Sequence, residues 1–75
     1  MSRLAPRFPM TLYFDGSCPL CSAEMRKLRA RDLHERLRFV DCSPADFSAG
    51  PAPRTALMDA IHAVDAQGQV FVGVP

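Results

Sequence analysis

Asp15-Gly16-Ser17-Cys18-Pro19-Leu20-Cys21 is the stretch around which the chain is organised. Ahead of it runs a segment of β-formers, Met10-Thr11-Leu12-Tyr13-Phe14, apolar on both faces. Behind it, from Pro19 to Arg31, apolar residues recur at helical spacing. Two cysteines, two residues apart, therefore fall where a strand hands over to a helix. Asp15-Gly16-Ser17 is turn chemistry. Pro19 suits the first helical position, where its missing N–H costs nothing, and this puts Cys18 at the cap. A helix start carries unpaired N–H groups and the positive end of the dipole, and both favour a thiolate over a thiol. Cys18 is the expected nucleophile. Cys21 lies one turn on and is the expected resolving thiol, attacking the mixed disulfide that Cys18 forms with a substrate.

Outward from this stretch, Cys21, Met25 and Leu28 mark one face of the helix, with Leu20 alongside. Arg26, Lys27, Arg29 and Arg31 take the other faces. Their place in the second half opposes the negative end of the dipole, so this is expected to be a solvated face; the alternative is a docking surface for an acidic partner. Asp32 to Arg36 is a polar connection, and Leu37 to Cys42 reads as a second strand. Strand, helix and strand in this order predict a right-handed parallel βαβ unit. Ser43-Pro44-Ala45-Asp46 reads as a helix start, which Gly50-Pro51 ends after one or two turns. Thr55 to Asp59 has no decisive pattern. Ala60–Val64 and Gln69–Val72 read as strands of a hairpin around Asp65-Ala66-Gln67-Gly68. Residues 1–9, with Pro6 and Pro9, read as a loose leader to a single domain over 10–75.

Bulk properties bound the function. Seventy-five residues make one small domain of marginal stability. A chain that is 48% hydrophobic and 23% charged is not disordered throughout. A net charge of +1 makes no case for nucleic acid or an anionic membrane. No run approaches the ~18 apolar residues of a membrane span. Three cysteines, an odd number, without an apolar run that reads as an export signal, argue for a reducing, cytoplasmic setting.

Tyr13-Phe14-Asp15-Gly16-Ser17-Cys18-Pro19-Leu20-Cys21 resembles the signature of the DCC-type thiol-disulfide oxidoreductases. Leu37-Arg38-Phe39-Val40-Asp41 resembles that family's second strand, and the stretch from Ile61 to Gly73 its hairpin. The resemblance spans about residues 10–73. It implies an α/β, thioredoxin-like fold: a β-α-β unit, a short helix, then a β-hairpin. It implies dithiol–disulfide activity with Asp15, Cys18 and Cys21 as signature residues and no cofactor. It defines no substrate; the dithiol chemistry itself calls for an unidentified disulfide-bearing protein or small thiol as partner. Family members continue into further helical sequence past the hairpin, so this chain is expected to lack the final helical part. One sheet face would then be uncovered and available to a second copy.

Each residue also has a plainer reading. Asp15 can relay a proton from Cys21, or simply bond turn N–H groups. Ser17 is read as a turn or cap hydroxyl. Cys42 is read as a small core residue and His62 as a core or edge histidine, while His34 is solvated. Neither Pro51 nor Pro53 is assigned the role of a cis-proline facing the dithiol. Two rival functions remain at this point: a zinc module using Cys18, Cys21, Cys42 and one of His34 or His62, and a non-catalytic remnant.

Overall fold

The computed structural model describes residues 7–73; positions 1–6 of the expected leader, and Val74 and Pro75, lie outside the described residues. The elements run β1 (Met10–Phe14), α1 (Pro19–Arg31), β2 (Leu37–Asp41), α2 (Arg54–Asp59), β3 (His62–Val64) and β4 (Val70–Val72). They build one four-stranded sheet in the order β2-β1-β3-β4. β1 pairs in parallel with β2, Leu12 facing Phe39, and antiparallel with β3, where it faces Ala63. β3 and β4 form the antiparallel hairpin. This is the mixed α/β order expected of a thioredoxin-like β-α-β unit followed by a hairpin.

Alternation along the strands assigns the core. Met10 and Leu12 on β1 and Ala63 on β3 are buried together with Met25 of α1. Phe14, Leu37, Phe39, Leu28 and Phe71 pack against them. Leu20, expected beside this face, is 80% exposed. It stands five positions from Met25, which turns it roughly 140° around the helix. The basic residues Arg26, Lys27, Arg29 and Arg31 are exposed, as a solvated face requires. The Arg29 guanidinium also lies 4.7 Å from the centre of the Phe39 ring.

On the opposite face, Gly50 lies against both Leu57 of α2 and the Tyr13 ring, and Leu57 is fully buried. Farther along, Val70 and Val72 of β4 are 47% and 61% exposed.

The second helix is displaced from where the sequence places it. Ser43 to Gly50 forms only a turn, closed by the Phe47 N–H on the Pro44 carbonyl. The Arg54 side chain explains this. Its guanidinium donates to the carbonyls of Cys42, Ser43 and Pro44, and the last two are acceptors that a helix starting at Ser43 would have used. Helix formation waits until Arg54, where the Pro53 carbonyl accepts the Ala56 and Leu57 N–H groups. Because Ala60 closes α2 through its N–H to Ala56, β3 begins at His62 rather than at Ala60.

Asp65 ties the hairpin together. Its buried carboxylate accepts the N–H groups of Gln67 and Gln69, the Gln69 side-chain amide and the N–H of Arg7. Arg7 returns the contact by accepting the Ala66 N–H at 2.8 Å. Gly68 takes φ +83°, the left-handed conformation this turn requires.

Candidate functional site

The site is built where β1 ends. Asp15 turns the chain, its carboxylate accepting the Ser17 N–H at 2.9 Å and also the Ser17 hydroxyl. The Asp15 carbonyl accepts the Cys18 N–H at 3.1 Å. Cys18 then caps α1 with extended backbone, φ −87° and ψ 118°, and Pro19 opens the helix. Ser22 seals this turn: its hydroxyl donates to the Gly16 carbonyl at 2.9 Å and its N–H to the Cys18 carbonyl.

The capping group is the Cys18 sulfur, which accepts the Cys21 N–H at 3.5 Å. A side-chain acceptor here satisfies one of the orphan donors of the first turn. The electrostatics of the two thiols diverge as a result. The Cys21 N–H, and then the Cys21 thiol, hold Cys18 below the ordinary thiol range, while the Asp15 charge works against this. Cys21 is pushed up, first by its bond to Cys18, then by burial and by the charge of Cys18. Both side chains are half-buried and free.

Of the residues anticipated from sequence, Asp15, Cys18 and Cys21 are brought to one turn. Asp15 serves that turn through Ser17, and its charge disfavours both thiolates. Cys42 is fully buried behind the end of β2, with its N–H on the Phe14 carbonyl, and burial raises its thiol. His62 is buried with Nδ1 donating to the Ala60 carbonyl at 2.8 Å, and His34 is exposed. Among the described residues no three His, Cys, Asp or Glu side chains gather to hold a metal ion, so the zinc set of Cys18, Cys21 and Cys42 with a histidine is not assembled. Pro51 and Pro53 are not cis; the cis bond among the described residues precedes Pro9.

One participant escaped the sequence reading. Asp41, at the end of β2, accepts the Gly16 N–H at 2.7 Å and the Ser43 N–H at 2.8 Å, both on Oδ1. The Ser43 N–H and hydroxyl, and then Gly16, hold its carboxyl below the usual range. The available signal was an aspartate closing the second strand, level with the glycine that follows the first. Beside this clamp lies a groove of about 220 Å³, walled by Phe14, Ser22, Met25, Arg26, Arg29 and Asp41.

Comparison with known proteins shows the family. The sequence matches the family model of DCC1-like thiol-disulfide oxidoreductase over residues 12–75. It is similar to an uncharacterized chloroplastic protein of Arabidopsis thaliana, 38% identical over 69 residues, covering 84% of this chain and 31% of that protein. The chain thus spans about a third of the length of the curated relative it matches. No solved structure matches. Among the described residues no helix is long and apolar enough to cross a membrane.

Proposed function

Because the chain belongs to the DCC1-like thiol-disulfide oxidoreductase family, we propose that it exchanges electrons with a disulfide through Cys18 and Cys21. In the forward direction the Cys18 thiolate attacks one sulfur of a substrate disulfide. That S–S bond breaks, the far sulfur leaves as a thiolate, and Cys18 carries a mixed disulfide. Cys21, deprotonated as it reacts, attacks the Cys18 sulfur. The second substrate thiol is released and a Cys18–Cys21 disulfide remains. Two electrons have passed to the substrate, and an external dithiol must restore them.

The observation that carries this reading is the capping sulfur of Cys18 on the N–H of its partner one turn away. It supports an anion at Cys18 and a neutral thiol at Cys21, the division of labour the two steps need. Asp15 acts on the turn that presents Cys18. The partner is a disulfide-bearing protein or a small thiol, in a reducing compartment such as the cytoplasm, where three free cysteines persist. A second copy of the chain pairs over the sheet face that exposes Val70 and Val72.

Alkylation of the reduced chain across pH, with mass mapping of the modified cysteine, tests the central claim. Cys18 is expected to react first, with a midpoint below the ~8.5 of an ordinary thiol. Cys21 should follow only at higher pH. A Cys18 that titrates like a free thiol, together with a Cys18→Ser variant that still reduces an insulin-type disulfide, would remove the mechanism and leave a non-catalytic domain.

A further inference from the structure

We propose that Asp41 is a positioning residue for the dithiol, its carboxylate joining the end of β2 to the turn that presents Cys18. This rests on reading Cys18 and Cys21 as a working redox pair. β1 and β2 run parallel with Phe14 level with Asp41, so the two strands finish side by side. At that point one chain turns toward α1 and the other toward Ser43. Asp41 Oδ1 takes the N–H of the second residue beyond each strand, Gly16 at 2.7 Å and Ser43 at 2.8 Å.

Gly16 is held from both ends. Its N–H is on Asp41 and its carbonyl accepts the Ser22 hydroxyl. The preceding carbonyl, that of Asp15, accepts the Cys18 N–H. The turn can therefore move little without moving Cys18. Glycine leaves room for this close approach: a Cβ at position 16 would overlap the Asp41 carboxylate and displace it from the turn.

Asp41 acts on the sulfur through this turn and does not touch it. Its negative charge opposes a nearby thiolate, so its value to the site is as an acceptor and not as a charge. That separates two substitutions. Asp41→Asn keeps an Oδ1 that can take both N–H groups, and removes the charge. Asp41→Ala removes the acceptor, frees the turn and loosens the cap.

The test is the pH profile of Cys18 alkylation by iodoacetamide in the full 75-residue chain. A wild-type Cys18 with no reactive anion at low pH defeats the oxidoreductase reading and this inference with it. With the wild type reactive, Asp41→Ala is expected to lose roughly fivefold in rate near neutral pH, about the worth of one cap hydrogen bond. Its profile moves to higher pH. Asp41→Asn is expected to keep the wild-type profile or move it to lower pH, and Gly16→Ala, whose Cβ displaces the carboxylate, to reproduce Asp41→Ala. Cys42, buried at the same strand end, reports folding and stays unreactive in folded variants. An Asp41→Ala profile that overlays the wild type overturns the proposal. So does an Asp41→Asn profile displaced upward, a result that decides the matter even if Asp41→Ala exposes Cys42 and is unfolded.

Discussion

At the scale of the residue, the site is an asymmetry between two chemically identical side chains. Cys18 and Cys21 differ only in where α1 places them, one as its cap and the other inside its first turn. The cap accepts an N–H, which draws its thiol below the ordinary range; its partner donates and is pushed above it. The order of events follows. A Cys21→Ser variant should react once with a disulfide reagent and stop, leaving a stable adduct on Cys18 visible by intact mass. Cys18→Ser should leave no such adduct and no turnover. Adduct found on Cys21 instead would reverse the assigned roles. The two cysteines and Asp15 were legible in sequence because a turn, a cap and a proline announce themselves over a few neighbouring positions. Asp41 was not, because its partner Gly16 is 25 positions away and only the parallel pairing of β1 and β2 brings them level.

At the scale of the element, local signals served well where nothing distant competed. β1 and α1 fall where their own residues put them, since alternation, a cap and helical periodicity all agree there. The second helix shows the opposite case. Ser43-Pro44 carries a helix-start signal, yet the Arg54 guanidinium takes carbonyls that helix would need. A long-range donor overrides a local preference. α1 also contains its own comparison, since Met25 is buried in the core while Leu20 is largely in solvent. Met25→Ala should cost about 2–5 kcal/mol, the range for deleting a buried side chain of this size. Leu20→Ala should change stability by less than about 0.5 kcal/mol, as exposed substitutions do. Urea unfolding curves decide this, and equal losses at both sites would mean the helix face has been misplaced.

At the scale of the whole molecule, distant segments are held by a few buried polar links. Asp65 joins the hairpin turn to Arg7, 58 positions earlier. Burial opposes its charge, but the N–H groups of Gln69, Arg7 and Gln67 outweigh burial and hold the carboxyl below its ordinary range. With the folded value depressed, the stabilisation is complete above the unfolded value of about 3.9 and is lost as pH falls through the folded one. Asp65→Asn should therefore melt lower than wild type by roughly 5–10 °C near neutral pH. The gap should close on acidification below about pH 4. A gap constant with pH would assign the loss to packing alone. The exposed Val70 and Val72 predict dimers that grow with concentration in light scattering, and a Val72→Lys chain that stays monomeric. Wild-type chain that remains a monomer at high concentration removes the pairing.

If Cys18 exchanges electrons as proposed, the sulfur that fastens the start of α1 also couples folding to electron transfer. Where Cys18 acts as the thiolate proposed for it, the Cys21 N–H stabilises that anion in the folded chain, and a disulfide between the same two atoms forgoes that gain. The native chain consequently surrenders its oxidised bond more readily than the same chain unfolded in denaturant. By the closed thermodynamic cycle, the proposed exchange then predicts that oxidation loosens the native state by that contribution, so a spent molecule should be the softer one and a recharged molecule the firmer.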